Sequence, residues 1–431
     1  MNRDILRLAI PNILSNISVP LLSSVDTALM GQQADVAYLG AVGLGGVIFN
    51  FVYWSFGFLR MGTTGLTAQA YGKASDADII HTLGRAVLFA VVGAAGLLLL
   101  QWPIGELSLW LLDAPTDVAP LVSEYFYIRI WAAPATLLLY AAMGWFFGLQ
   151  NAVYPLILTL IVNAANIAMS YYSVYHLGMD VDGVAWATVI AQYIGAAVAL
   201  GMFVHRYRGL LAAFSRRVVV EWQPLRAFFL LNSDIFIRTF CLIAAFTLFA
   251  QQSAAQGEVL LAVNTVLLQF LHWMSYAIDG FAYAAESLVG KYAGNRRRDQ
   301  LARVITLTFR WGLGLALFFA ALYAFGSEPL LWVFTDKPEV VDAALLYTWW
   351  MAIMPIVAFS CYLWDGIYVG LTASKAMRDS MLVSIVLFLL AVYTLVPLYG
   401  NNGLWLAMLL FMGVRGLVQW WMYRAGRVVT H

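Results

Sequence analysis

The sequence predicts an all-α polytopic membrane protein, with twelve transmembrane helices in two six-helix lobes related by a parallel repeat. Three observations carry this. Of 431 residues, 62% are hydrophobic and only 11% charged, whereas soluble domains carry about 25% charged residues. Apolar windows of about 20 residues, enough to cross a bilayer, recur twelve times along the chain. The second half also echoes the first, at a shift of about 220 residues.

The first six spans cover approximately 6–32, 38–72, 81–103, 119–148, 154–176 and 183–205. The second six cover 225–250, 259–290, 301–325, 340–370, 377–397 and 403–423. The first follows Met1-Asn2-Arg3-Asp4 without a small-residue cleavage site, so it reads as a retained helix rather than a signal peptide. The second, eighth and tenth are long enough to tilt or protrude. The expected division is a lobe at 1–206, a connection at 207–224 and a lobe at 225–431. That connection is the longest polar stretch, and its Phe214, Val218, Val219, Val220 and Trp222 among arginines suggest a surface-lying segment.

Basic residues set the orientation. Of 24 Lys and Arg, Lys337 alone sits on an odd-numbered connection, and Arg60, Arg129, Arg238, Arg310 and Arg415 lie within spans. The other eighteen fall at the termini and even-numbered connections, while Asp113, Asp117, Glu124, Asp180, Asp182, Glu328, Asp336 and Glu339 collect on the opposite side. Both termini of this multi-pass chain are therefore expected in the cytoplasm. The repeat shows in Pro134 through Gly148-Leu149-Gln150, echoed by Pro355 through Gly370-Leu371-Thr372. It shows again in Gly178 through Trp186, echoed by Gly400-Asn401-Asn402-Gly403-Leu404-Trp405. Six spans per half is an even number, so both halves cross in the same sense, and a ligand site is expected between them.

Polar residues inside spans narrow the chemistry. Asp26 is a carboxylate in the first span with no basic residue within a helical turn, and Pro20 precedes it by six positions. An acid in a spanning helix is costly and is normally kept for pairing or for ion and substrate traffic. Asn163, Asn166 and Ser170 share one face of the fifth span, and Thr188 lies on the sixth. Such amides and hydroxyls serve equally as helix glue. A second polar network is expected from Arg60, Asp234, Arg238, Asp279, Glu286 and Asp365. Within it, Asp234 and Arg238 are spaced for an intrahelical pair, and Asp365 before Gly366 tilts toward a structural role. Asp279 and Glu286 share a face with Tyr283, as a cavity stripe or as a buried network with Arg60, Arg238 or Arg310.

Enzyme signatures are missing: there is no HExxH, GxSxG, CxxC or P-loop. No metal or cofactor is expected, and ATP is not the energy source of this chain. Cys241 and Cys361 fall in apolar spans and read as packing residues. A net charge of +1 gives no pull toward nucleic acid.

Two stretches resemble the multidrug and toxic compound extrusion (MATE) transporters: Val25-Asp26-Thr27-Ala28-Leu29-Met30-Gly31, and residues Leu59-Arg60-Met61-Gly62-Thr63-Thr64-Gly65 onward. Ile278-Asp279-Gly280-Phe281-Ala282-Tyr283-Ala284-Ala285-Glu286 resembles their bacterial DinF-type branch. The resemblance covers essentially the whole chain. It implies an exporter of amphipathic, often cationic small molecules, driven by protons or sodium and rocking between outward-open and inward-open forms. It further implies that Asp26 couples ion to substrate, that Pro11 and Pro20 let the first helix bend, and that Asn166 and Thr188 belong to the nearby polar cluster. Relatives commonly read Asn-x-x-x-Asp in the fifth span, whereas this chain reads Asn166 and Ser170. One carboxylate fewer favours protons over a sodium cage of Asp26, Asn166, Ser170 and Thr188.

The expected partners are therefore small amphipathic or cationic substrates and membrane lipids, with the chain acting as a monomer and binding no nucleic acid. The alternatives are a sodium-coupled exporter, a lipid-linked precursor flippase of the same superfamily, and a polytopic enzyme acting on lipid-linked sugars. The flippase lacks support because neither extra spans nor a strongly basic cavity is evident. The enzyme would need acids or histidines clustered at one membrane face. Cysteine labelling checks the orientation: sites after the third and ninth spans should react from outside, and sites in 207–224 only after permeabilisation.

Overall fold

The computed structural model describes residues 1–31, 36–113, 115–116 and 118–428, and the side chains of 19–36 lie outside the description. Among the described residues there is helix and no strand. In chain order the α-helices are α1 (Asn2–Gly31), α2 (Val36–Ser55), α3 (Gly57–Gly72), α4 (Asp76–Leu99), α5 (Gln101–Leu112), α6 (Ala119–Arg129), α7 (Ala133–Gly148) and α8 (Val153–Tyr175). They continue with α9 (Val181–Tyr207), α10 (Arg216–Val219), α11 (Trp222–Ala255), α12 (Glu258–Gly294), α13 (Arg298–Phe334), α14 (Pro338–Leu345), α15 (Thr348–Gly370) and α16 (Ser374–Arg424).

Ten stretches among the described residues are long and apolar enough to cross a membrane. The last, Ser374–Arg424, has 51 residues, which at 1.5 Å rise is about 77 Å, far beyond a hydrocarbon core of about 30 Å. It turns at Gly400 (φ 55°, ψ −131°), so it holds two crossings. With α1 these make the expected twelve.

The second span is not one helix. It breaks at Phe56 (φ −90°, ψ 0°) into α2 and α3. The fourth likewise passes from α6 through a 3₁₀ turn at Ile130–Ala132 into α7, which opens with Pro134 in its first turn. Local chemistry sets other boundaries. Ser75 Oγ accepts from Asp78 N at 3.2 Å, and Asp76 and Asp78 place negative charge at the start of α4.

The chain divides into two compact units, Leu14–Phe229 and Met1–Ile13 with Leu230–His431. The first thirteen residues thus pack with the second half, where the sequence suggested a division at 206 and 225. Gly280 on α12 explains this: a Cβ there would press on Ile13 and lie 3.0 Å from Ala9 O, so α12 and the start of α1 touch backbone to backbone. The connection folds as a 3₁₀ turn (Arg208–Ala213) and α10, within the first unit. Arg85 Nη2 donates to Val218 O at 2.9 Å, and Ser215 N donates to His81 Nε2 at 3.0 Å, clamping it on α4.

Both units rest on the same helix crossing. In the first, α7 lies on α3, where Gly144 faces Arg60 O, and Gly148 would meet Thr64 O at 2.9 Å if it carried a Cβ. In the second, α15 lies on α12, where Gly366 faces Ala282 O, and a Cβ on Gly370 would meet Glu286 O at 2.7 Å. Small residues four apart let spanning helices approach backbone to backbone. Each of the four second-unit residues is 222 positions beyond its first-unit counterpart. Left-handed turns keep the same interval: Ala74 and Arg296, Gln150 and Thr372, Gly178 and Gly400. The repeat read in sequence is therefore a repeat of crossings and turns.

Gly144→Ala and Gly366→Ala should each lower the thermal midpoint of detergent-purified protein, at a cost of about 1–3 kcal/mol from overpacking. Gly96→Ala, where a Cβ meets nothing within 4 Å, should leave the midpoint unchanged or slightly raised.

Candidate functional site

In the first unit the polar residues of α8 and α9 come together. Asn166 and Ser170 are 2% and 0% exposed, and Thr188 is 9% exposed. Thr188 donates its hydroxyl to Val184 O at 3.1 Å, so its oxygen accepts from Asn166 Nδ2 at 2.9 Å. That bond fixes the amide orientation and leaves Asn166 Oδ1 facing away from Thr188. Among the described residues, Asn166 Oδ1 and Ser170 Oγ have no hydrogen-bond partner although both are buried. A buried polar atom without a partner costs free energy, and here two lie one helical turn apart.

The first helix lies along this wall. Ser15 donates to Thr159 Oγ1 at 2.9 Å. One turn on, Asn163 Nδ2 reaches Ser18 O at 3.3 Å and Ser18 Oγ at 3.2 Å. Asn163 therefore bonds α1 and Asn166 bonds α9, while Ser170 Oγ bonds neither among the described residues. The side chains of Asp26 and Pro20 lie outside the described residues, though the backbone of α1 is helical throughout Asn2–Gly31. Pro11 sits earlier in the same helix, beside Asn12, whose Nδ2 donates to Leu8 O at 2.8 Å.

The second unit holds a different cluster. Asp365 on α15, buried, accepts from Arg238 Nη2 on α11, from Arg415 Nη2 on α16 at 2.8 Å and from Gln419 Nε2 at 2.7 Å. Arg415 is 0% exposed. The expected intrahelical pair of Asp234 with Arg238 does not form. Asp234 instead accepts from Arg378 Nη1 at 2.6 Å and Ser374 Oγ at 2.9 Å. The physical reason is the size of the two terms: an i,i+4 pair is worth a few tenths of a kcal/mol. A buried carboxylate left without a cation loses several, so Arg238 turns inward to Asp365.

Glu286 is buried on α12, and Asp279 and Tyr283 on the same helix are partly buried. Arg60 lies with its guanidinium 5.9 Å from the Phe147 ring centroid. Of the expected second network, Arg238 and Asp365 are thus brought together, while Asp234 pairs with Arg378. Arg415 and Gln419 were not singled out from sequence as members of it. The spacing of Arg415 and Gln419, four apart in a spanning helix, was the available signal.

A family model described as MatE matches residues 11–172 and 236–396, once in each half. The chain belongs to the MatE family. It is 37% identical to the DNA damage-inducible protein F of Escherichia coli K12, over 95% of this chain and 89% of that one. It is 24% identical to a probable multidrug resistance protein NorM of Chromobacterium violaceum, over 100% and 95%. Among solved structures it is similar to an outward-facing multidrug resistance MATE family transporter of the MOP superfamily, with TM-score 0.88 at 17% identity, covering 99% and 96%. It is also similar to the Vibrio cholerae MATE transporter VcmN in its bent form, with TM-score 0.87 at 19% identity, covering 98% and 96%. The fold is thus the twelve-helix MatE fold, and the two solved structures are transporters by name.

Asp365→Asn should destabilise this MatE protein by roughly 3–5 kcal/mol, because two buried guanidinium groups lose their carboxylate. Replacing Arg238, Asp365 and Arg415 together by Met, Leu and Met should recover most of that loss. Thermal unfolding in one detergent measures both.

Proposed function

We propose that the chain exports amphipathic, chiefly cationic compounds by proton antiport, with Asp26 carrying the proton and the two halves alternating access. The observation that carries this is the pair of unpartnered polar atoms, the Asn166 amide oxygen and the Ser170 hydroxyl, on the wall beside α1. The two contacts of that wall join residues 144 and 145 apart, Ser15 to Thr159 and Ser18 to Asn163. Carried two turns further along parallel helices, the same offset pairs position 26 with position 170.

The free hydroxyl and the free amide oxygen suit the two forms of one acid. A charged carboxylate accepts from the Ser170 hydroxyl and is repelled by the Asn166 carbonyl oxygen. A protonated carboxyl can donate to that oxygen. Proton uptake thereby exchanges one hydrogen bond for another and shifts the preferred place of the Asp26 side chain. Pro20 lacks a backbone donor, so α1 yields there more readily than elsewhere. A substrate cation held by the charged carboxylate is released when the charge is neutralised. Membership of the MatE family and the multidrug names of relatives support the exporter reading.

The protein acts, in this reading, as a monomer among the lipids of the bacterial inner membrane, with both termini in the cytoplasm, and performs no enzymatic step. Sodium is the second reading, because both free atoms are oxygens that a hard cation accepts. Everted vesicles given a fluorescent cation in the outside medium separate the two. An imposed proton gradient should drive uptake, a sodium gradient should not, and Asp26→Asn should abolish uptake while leaving folded protein. Wild-type uptake by Asp26→Asn would remove the proposal. Uptake on sodium alone would transfer it to the second reading.

A further inference from the structure

Two bonds of different kinds hold the connection between the halves to α4. Arg85 Nη2 donates to Val218 O at 2.9 Å, and a guanidinium keeps its protons at any physiological pH. The other bond runs from Ser215 N to His81 Nε2 at 3.0 Å. A ring nitrogen accepts only while it carries no proton. His81 is therefore neutral wherever this bond exists. Its one proton sits on Nδ1, which bonds nothing among the described residues.

The contact around the ring is close. His81 is 6% exposed, and the Phe214 ring centroid lies 6.2 Å from its own. One turn on, a Cβ at Gly84 would come within 2.8 Å of Val219 Cγ2 and 3.2 Å of Phe214, so helix and connection already touch. The charges that act on the imidazole are Arg85 and Asp78 on α4 and Glu221 just beyond α10. Helices α3 and α7 also pack on α4, and among the described residues neither brings a charged side chain to bear on the ring.

A proton arriving on Nε2 would face the Ser215 N–H, donor against donor. It would also set a second positive charge beside Arg85, which holds the other bond. Asp78 would steady the new charge from α4 itself. Glu221 would do so from six residues beyond the bond that is lost. The repeat shows that the helix does not need this histidine. At 222 positions further on, His81, Gly84 and Arg85 become Arg303, Thr306 and Leu307, and Arg303 is exposed.

We propose that His81 is a proton-operated latch on the connection. Neutral, it pins Ser215 and the segment 208–221 to α4; protonated, it lets that segment go. The latch does not rest on the exporter reading, because its bonds form within one unit and need no gradient. In that reading the connection faces the cytoplasm, where imported protons arrive, so protons carried in by transport would open it.

Hydrogen exchange of the purified full chain in an uncharged detergent tests this, with rates corrected for the intrinsic pH dependence of exchange. In wild type the protection of the Ser215 amide should fall about tenfold from pH 8 to pH 5, the scale of one lost hydrogen bond. The fall should follow a single proton, and peptides from α8 and α9 should not share it. His81→Gln, whose side-chain oxygen accepts at any pH, should stay protected throughout. His81→Phe, which fills similar space without an acceptor, should exchange fast throughout. Wild-type protection that does not change with pH would overturn the proposal, whether or not either variant folds. So would the same pH step in folded His81→Gln or His81→Phe, or a step of equal size in α8 and α9.

Discussion

Inside a bilayer a polar atom has no water to turn to, and that constraint organises both halves of this protein. The 222-residue repeat supplies one scaffold twice, through matching glycine crossings and matching left-handed turns. What differs is how polar atoms are satisfied on it. In the second unit a carboxylate, two guanidinium groups and an amide close on one another across three helices. In the first unit the amide of Asn166 is half satisfied and the Ser170 hydroxyl is not satisfied at all. Among the described residues Gln419 Oε1, Arg238 Nε and Arg415 Nε are unpartnered as well, so the units differ in the charges they pair and not in whether buried polar atoms stay open.

The asymmetry is written residue by residue. Asn166, Ser170 and Thr188 correspond to Phe388, Val392 and Leu410, which offer no side-chain polar atom. Arg238, Asp365 and Arg415 correspond to Asn16, Met143 and Tyr193. Neither cluster is required by the crossing it sits on. Each is an addition to a shared architecture, which is why the two halves can do different work while folding alike.

Much of the fold was legible because length and apolarity report a spanning helix directly, and twelve such windows were visible. The repeat was legible because glycine positions at close crossings tolerate little else. Breaks such as Phe56 were not, since an apolar run reads the same whether or not it is interrupted. The partners of Asp234 and Arg238 were misjudged because sequence displays neighbours four apart, whereas Arg238 and Asp365 are 127 residues apart. The placing of Met1–Ile13 with the second unit depends on Gly280, whose role appears only once α12 lies against α1. In the candidate site, the shared face of Asn163, Asn166 and Ser170 was legible from helical spacing. Which of the three bonds to α1 and which stay unpartnered was not.

The exchange at Asp26 is the central claim: a cationic substrate and a proton compete for its charge. Proton release on substrate binding measures it most directly. Purified protein in weakly buffered, sodium-free solution, mixed with tetraphenylphosphonium, should acidify the medium as the bound proton leaves. Asp26→Asn should give no signal. Substrate binding without proton release in wild type, or release unchanged in Asp26→Asn, would contradict the account.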